Sequence, residues 1–141
     1  MQSTGGSITL ERKTILLVEQ DLPTRKFLSE LLLQQGCVLV EAHSGPDALK
    51  GSEMHNGAID LLLTDCALPG MSGLELAEQL WRSRPDLPVI LMSASSEETA
   101  VSHIRGLPFI RKPFTPDTVT GTIERTLGHA NNQVPKTKFA G

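Results

Sequence analysis

Short apolar runs alternate with stretches of helical periodicity over most of the chain. The runs cover residues 14–18, 37–42, 58–65, 88–94 and 107–111. The first, TILLV, and the third, AIDLLLTD, are apolar at most positions, which is typical of parallel strands covered on both faces. The pattern therefore predicts five short, largely buried strands.

Each run is followed by a helix start signal, which is an N-cap residue ahead of proline or of apolar residues at helical spacing. The start signals are Asp21 before Pro23, Ser44 before Pro46, the loop ahead of Leu74, Ser95 or Ser96, and Thr115 before Pro116. Glycine commonly ends a helix, so we expect the first helix to end at Gly36 and the last at Gly128. These signals predict five helices.

Five strands that alternate with five helices predict an α/β fold, in which one doubly wound sheet of five parallel strands has helices on both faces. A chain of 141 residues has the length of a single domain. We expect residues 1–12 to be a flexible lead-in, residues 13–129 to form the domain, and residues 130–141 to be a disordered tail.

Composition narrows the choice of partners and compartment. The net charge is −3 and no cluster of Lys and Arg occurs, so we expect no direct contact with nucleic acid. Cys37 and Cys66 lie far apart without a CxxC motif, which argues against a disulfide framework or a zinc site and suits the reducing cytoplasm. No apolar run approaches the ~18 residues that span a membrane, so we expect no membrane insertion.

Polar side chains follow the apolar runs where the strands are expected to end. They are Glu19, Gln20 and Asp21 after the first run, Asp65 after the third, Ser93 in the fourth, and Lys112 after the fifth. Because the carboxyl ends of parallel strands meet at one edge of a sheet, where α/β proteins bind ligands, we expect these groups to converge. This convergence of acids, a hydroxyl and an ammonium is the strongest functional signal in the sequence.

Each of these residues also has a simpler interpretation. Asp65 alone could begin a turn, and Ser93 or Lys112 alone could be an ordinary polar position. Asp21 is well placed to cap the first helix, and we favour that role over metal binding. Only the combination of Asp65, Ser93 and Lys112 favours a functional site.

Four segments in register, ILLVEQD, DLLLTDCALPGMSGLEL, PVILMSA and FIRKPF, resemble the receiver domain of response regulators in bacterial two-component signalling. The likeness covers residues 13 to about 129. It implies a flavodoxin-like (βα)5 fold. It also implies a cytoplasmic phosphoacceptor signalling domain that assists its own phosphorylation and dephosphorylation only, and is not an enzyme in the usual sense.

The resemblance assigns roles to the acidic residues. It implies that Asp65 accepts a phosphoryl group from a histidine kinase or a phosphotransfer protein in a phosphorelay. It also implies that Mg²⁺ is held by Glu19, Asp65 and the backbone carbonyl of Ala67. A carboxylate can act as such a nucleophile, and Mg²⁺ prefers oxygen ligands.

The resemblance also assigns a switch. It implies that Ser93 and Lys112 contact the phosphoryl oxygens, and that Ser93 and Phe109 change conformation on activation. The surface formed by the fourth helix, the fifth strand and the fifth helix would then change, and a homodimer could form through it. The bond before Pro113 is compatible with the cis form, and Phe109 alone could equally be an ordinary core residue.

One position departs from the family pattern. The usual pair of adjacent acids after the first strand is here Glu19 followed by Gln20, which offers an amide oxygen without charge. Two hypotheses follow. Either Mg²⁺ binds more weakly and phosphorylation survives, which we favour, or the chain is a pseudo-receiver that acts as a phosphate-independent interaction module.

Two other classes of protein also fit parts of the pattern. A haloacid-dehalogenase-type enzyme would use a strand-end Asp with Mg²⁺, but it needs a second Asp where this chain has Ala67. A flavin-binding protein would need aromatic side chains for stacking, and the chain has one Trp and no Tyr. The receiver interpretation is therefore favoured over both.

Overall fold

The structure, a computed structural model, describes residues 9–130. Most of the expected lead-in and nearly all of the expected tail lie outside these residues. None of the described helices is long and apolar enough to cross a membrane.

Strands and helices alternate along the described chain. The strands are β1 (Thr14–Val18), β2 (Val38–Ala42), β3 (Leu61–Asp65), β4 (Ala67–Leu68), β5 (Met71–Ser72), β6 (Val89–Ser93) and β7 (Phe109–Arg111). The helices are α1 (Leu22–Gln34), α2 (Gly45–Met54), α3 (Gly73–Ser83), α4 (Ser96–Arg105) and α5 (Pro116–Ala130). The strands predicted from the first four apolar runs correspond to β1, β2, β3 and β6, and the strand predicted from the fifth corresponds to β7.

The main sheet has the strand order β2-β1-β3-β6-β7, and every neighbouring pair is parallel. This confirms the predicted doubly wound, flavodoxin-like architecture. The order places β3 at the centre of the sheet, so that its carboxyl end opens between the ends of β1 and β6. Asp65 is the last residue of this central strand.

Apolar side chains pack on both faces of the sheet. Ile15 and Leu17 point into a cluster with α1 and α5, whereas Leu16 and Val18 point into a cluster with α2 and α3. All four side chains are fully buried. The alternation explains why the strands are apolar at every position, since each face needs its own row of apolar side chains.

Short polar side chains fix the starts of the helices, as the sequence predicted for α1, α2 and α4. Asp21 and Ser44 cap α1 and α2. Ser72 and Glu75 form a reciprocal capping box at α3. Ser95, the first of the two alternatives for α4, accepts a hydrogen bond from the backbone of that helix.

Some boundaries differ from the sequence predictions. Leu10 is only 2% exposed and belongs to the core, so the packed chain starts before residue 13. Gly128 does not end α5, because the apolar face formed by Val119, Ile123 and Leu127 is buried and the helix continues to Ala130. A glycine inside a helix costs only about 1 kcal/mol, which such packing can offset.

Strand β7 is shorter than the apolar run that predicted it. The run begins at residue 107, whereas β7 begins at Phe109. Pro108 has no N–H group to donate to the sheet, although its carbonyl accepts a hydrogen bond from Leu91. The proline therefore sets the start of the strand.

The chain after β3 forms a small antiparallel hairpin, β4–β5, that the sequence analysis described only as a loop. Its turn contains Pro69 followed by Gly70, which has φ +77°. Proline followed by a glycine with positive φ is the pattern of a type II turn. The hairpin carries the chain from Asp65 to the start of α3.

Gly73 fits against the backbone at the end of β3. Its N–H donates to the carbonyl of Cys66 at 2.7 Å, and a Cβ atom built on Gly73 would overlap the carbonyl oxygen of Asp65. The overlap involves backbone and not a flexible side chain. Only glycine therefore allows α3 to start this close to the end of β3.

We expect Gly73→Ala to lower the free energy of unfolding by about 1–3 kcal/mol, because the new methyl group must displace the Asp65 backbone. Gly128→Ala is the matched control, since nothing lies within 4 Å of its Cβ position. There the substitution should raise stability by up to about 1 kcal/mol through helix propensity. Urea unfolding followed by circular dichroism measures both changes. Equal stabilities of the two variants would contradict the close contact at Gly73.

Candidate functional site

Two buried carboxylates and one ammonium meet at the carboxyl edge of the sheet. Asp65 ends β3, Glu19 follows β1, and Lys112 follows β7. Lys112 Nζ lies 2.9 Å from Glu19 Oε1 and 2.7 Å from Asp65 Oδ1. The side chains of Glu19 and Asp65 are 1% and 6% exposed. A cation at this distance partly offsets the cost of burying two acids side by side.

The two oxygens of Asp65 have different surroundings. Oδ2 accepts a long hydrogen bond of 3.4 Å from the backbone N–H of Gln20. Oδ1 is buried and, among the described residues, no donor is aligned on it. Lys112 Nζ lies 2.7 Å from Oδ1, so the ammonium neutralises charge on this oxygen. Apart from this ion pair, no described residue hydrogen-bonds Asp65 Oδ1.

Glu19 holds the loop between β1 and α1. Its Oε2 accepts the backbone N–H of Asp21 at 2.9 Å, while its Oε1 accepts Lys112. Arg25 donates to the Glu19 carbonyl at 2.8 Å, which fixes the same loop from α1. Glu19 thus positions both the loop and the lysine beside Asp65.

Burial dominates the electrostatics of Asp65. Burial raises the pKa of Asp65, the adjacent Glu19 carboxyl raises it further, and Lys112 lowers it, with a net value of about 7. For Lys112, burial lowers the pKa, but the contacts with Asp65 and Glu19 outweigh burial and raise it. The lysine is therefore a permanent cation, whereas Asp65 and Glu19 repel each other when both are ionised.

The other two residues after β1 make different contacts. The Asp21 carboxylate accepts hydrogen bonds from the backbone and the hydroxyl of Thr24, at 3.1 and 2.5 Å. These bonds lower the pKa of Asp21 and explain its role as helix cap. Gln20 is exposed and approaches Asp65 through its backbone N–H.

Ser93 is fully buried at the end of β6, and its hydroxyl contacts Thr99 of α4 at 3.0 Å. Its carbonyl accepts the backbone N–H of Lys112 at 2.8 Å, which links the ends of β6 and β7. Ser93 therefore lies at the predicted edge, but in this conformation its hydroxyl is engaged by α4. Of Asp65, Ser93 and Lys112, the structure brings Asp65 and Lys112 into direct contact.

The remaining predicted residues flank the cluster. Phe109 begins β7, is partly buried, and contacts the ring of His103 edge to face, with centroids 5.1 Å apart. Ala67 opens β4, where it pairs with Ser72. The Lys112–Pro113 peptide bond is cis.

Two residues of α4 that the sequence analysis did not single out also reach this edge. Thr99 contacts Ser93, and the Glu98 carboxylate accepts the backbone N–H of Ala94 at 2.7 Å. The spacing of Ser95 and Glu98 is that of a helix capping box and could have indicated Glu98. No sequence signal indicated Thr99, because its contact depends on how α4 docks.

A groove of about 550 Å³ lies next to the cluster. Its walls are Pro23, Thr24, Phe27, Lys112, Pro113 and Phe114. The rings of Phe27 and Phe114 stack with centroids 6.1 Å apart. Phe27 is 40% exposed, so an apolar surface adjoins the charged site.

The side chains at the edge fit a hard divalent cation. Carboxylate and carbonyl oxygens are the donors that Mg²⁺ prefers, and it commonly uses only one or two carboxylates together with waters. Glu19 and Asp65 supply two such carboxylates, and Asp65 Oδ1 has no described hydrogen-bond partner beyond the Lys112 ion pair. Residues 9–130 contain no group of three or more His, Cys, Asp or Glu side chains that could hold a metal.

Comparison with known proteins identifies relatives of this chain. The family model of the response regulator receiver domain matches residues 15–124. The DNA-binding transcriptional regulator NtrC of Escherichia coli K12 is 31% identical over 127 residues, covering 88% of this chain and 27% of NtrC. The chain thus spans about a quarter of the length of the first curated relatives that it matches.

Two solved structures show the same fold. A CheY-like receiver domain protein from Methanospirillum hungatei has a TM-score of 0.74 and 27% identity, covering 86% of this chain and 98% of that one. The response regulator TrrA from Thermotoga maritima, solved in complex with Mg²⁺ and beryllofluoride, has a TM-score of 0.71 and 29% identity. That match covers 81% of this chain and 98% of TrrA.

The raised pKa of Asp65 predicts a pH-dependent effect of Asp65→Asn when metal is removed by a chelator. The folded pKa of about 7 exceeds the ordinary value of 3.8, so the wild type loses stability as pH rises from about 4 to 7. Asparagine does not titrate. The variant should therefore be more stable than the wild type at pH 8, by a few kcal/mol at most, and should lose this advantage toward pH 4.

Thermal unfolding at pH 8 and at pH 4, followed by circular dichroism, measures this effect. Asp86→Asn, in an exposed loop, is the control and should shift both melting temperatures equally. A stability difference for Asp65→Asn that does not change with pH would show that Asp65 is ionised throughout.

Proposed function

The chain belongs to the response regulator receiver domain family, and we propose that it is a phosphoacceptor module of a two-component phosphorelay. In this proposal Asp65 takes a phosphoryl group from a phosphohistidine of a histidine kinase or a phosphotransfer protein. The observation that carries the proposal is the state of Asp65 Oδ1. This oxygen is buried, it pairs with the Lys112 ammonium at 2.7 Å, and no other described residue hydrogen-bonds it.

The reaction moves one phosphoryl group between two nucleophiles. Asp65 Oδ1 forms the new O–P bond, the P–N bond to the donor imidazole breaks, and the imidazole nitrogen keeps the electron pair. The product is an acyl phosphate on Asp65. Transfer of this kind depends mostly on positioning and on neutralising the charge of the equatorial oxygens. Lys112 is already in place to supply a positive charge.

Magnesium fits this proposal as the cofactor. Glu19, Asp65 and the backbone carbonyl of Ala67 would hold it, and when bound it would neutralise charge on the phosphoryl oxygens. Support comes from the two buried acids and from the relative TrrA, which was solved with Mg²⁺ and beryllofluoride. Gln20 contributes no charge, so we propose that the affinity for Mg²⁺ is lower than two adjacent acids would give.

The partner would approach over the groove beside Lys112. A phosphohistidine must come within bonding distance of Asp65, which is only 4% exposed, so its carrier must cover this edge of the sheet. The exposed ring of Phe27 lines this groove and offers apolar area for such a contact. We propose that the carrier is a protein of the cytoplasm.

The output would arise on the other side of the site. We propose that the Ser93 hydroxyl turns toward the phosphoryl group and that Phe109 changes rotamer, which alters the surface of α4, β7 and α5. A homodimer could use that surface. The change is a shift between two packings of one fold. The competing function, a phosphate-independent interaction module, is favoured only by Gln20, and the first experiment below separates the two.

We expect the purified chain to gain the mass of one phosphoryl group when incubated with Mg²⁺ and a small phosphodonor such as acetyl phosphate. Asp65→Asn should abolish the gain, because an amide cannot form the acyl phosphate. Asp86→Asn should retain it. Intact-mass spectrometry measures all three. If the wild type is never modified, even at high Mg²⁺, the phosphate-independent function replaces the one proposed.

We expect Gln20→Asp to tighten Mg²⁺ binding by roughly tenfold, because a second charge beside Glu19 attracts the cation. Gln79→Asp adds the same charge on an exposed face of α3 and is the matched control. Isothermal titration calorimetry gives both affinities. The same affinity in both variants would mean that residue 20 does not face the metal.

A further inference from the structure

We infer that Glu98 and Thr99 of α4 are positioning residues that hold the loop after β6 in its resting position and thereby oppose phosphorylation of Asp65. This inference rests on the proposed function, since it concerns the same site. It gives the first turn of α4 a specific part in setting how readily the site accepts a phosphoryl group.

The hydrogen bonds of Thr99 show where the proton of Ser93 lies. Thr99 Oγ1 is 3.0 Å from the carbonyl oxygen of Ser95, which can only accept a hydrogen bond. The Thr99 hydroxyl therefore donates its one proton to that carbonyl. The hydrogen bond of 3.0 Å between Ser93 and Thr99 must then be donated by Ser93. A phosphoryl oxygen can only accept hydrogen bonds. The Ser93 hydroxyl therefore cannot donate to a phosphoryl oxygen until its hydrogen bond to Thr99 is broken.

Glu98 holds the next residue of the loop in the same way. Its Oε1 accepts the backbone N–H of Ala94 at 2.7 Å, and its own N–H donates to Ser95 Oγ at 3.2 Å. A hydrogen bond to a carboxylate is about twice as strong as one between neutral groups. Two consecutive donors of the loop are thus engaged: Thr99 accepts the hydrogen bond of the Ser93 hydroxyl, and Glu98 accepts that of the Ala94 N–H.

Glu98 also contacts the residue that follows Asp65. The Cys66 thiol, next in sequence to Asp65, approaches the backbone carbonyl of Glu98 at 4.0 Å. The first turn of α4 therefore reaches the chain directly after the acceptor.

These contacts set a cost for the phosphorylated arrangement. The bonds made by Glu98 and Thr99 stabilise the resting loop and must be broken for Ser93 to turn toward Asp65. Weakening them raises the energy of the resting state alone. A variant that lacks them should bind a phosphoryl analogue more tightly, because less of the binding energy goes into moving the loop.

The test is a beryllofluoride titration of the full chain at saturating Mg²⁺, with Glu98→Gln and Thr99→Val as variants. Each should bind on the order of three- to tenfold more tightly than the wild type. Glu97→Gln removes the same charge from the same helix turn, and its affinity for beryllofluoride should stay within twofold of the wild-type value. Thr99→Ser keeps the hydroxyl and should restore the wild-type affinity.

A second measurement separates positioning from a general structural effect. Mg²⁺ binding without beryllofluoride should be unchanged in Thr99→Val, because the inferred role concerns only the loop. Far-UV circular dichroism verifies that each variant is folded under the conditions of the titration. If the wild type binds beryllofluoride but Glu98→Gln matches Glu97→Gln, or both test variants bind no more tightly, the inference is overturned and the proposed function stands. If neither the wild type nor any variant binds beryllofluoride at any Mg²⁺ concentration, the proposed function itself fails.

Discussion

The ammonium of Lys112, held between the carboxylates of Glu19 and Asp65, is the interaction on which the site depends. Two acids buried side by side repel each other and lose hydration, and the lysine offsets part of both costs. Its side chain crosses from the end of β7 past β6 to reach the ends of β3 and β1. That reach is possible only because the parallel register brings the carboxyl ends of these strands to one edge.

The loops at this edge are held by polar groups at the starts of helices rather than by apolar packing. Glu19 and Asp21 fix the loop before α1, Ser72 fixes the end of the hairpin, and Ser95 with Glu98 fixes the loop before α4. Such bonds are individually modest and can be exchanged for others at small cost. An edge built this way can change conformation while the apolar layers beneath it stay packed.

The sequence predicted the fold well because each level of the pattern agreed with the others. The apolar runs needed cover on both faces, and the caps at Asp21 and Ser44 marked where helices begin. It also predicted that Asp65 and Lys112 would meet, since both follow strands of one parallel sheet. The contact between Ser93 and Thr99 could not be predicted, because it depends on the docking of α4 and not on local pattern. The Gly128 boundary was wrong because burial of one helix face outweighed the local preference of glycine.

The contact between Gly73 and the backbone of Asp65 bears on how this protein can diverge. A Cβ atom at position 73 must displace the backbone of residue 65, whereas the Asp65 carboxylate is held by an ion pair with Lys112 and one long hydrogen bond. The backbone at residue 65 is therefore constrained more tightly than its side chain. A descendant could exchange the Asp65 side chain and keep the architecture, so loss of the proposed phosphorylation and loss of the fold are separable outcomes of mutation.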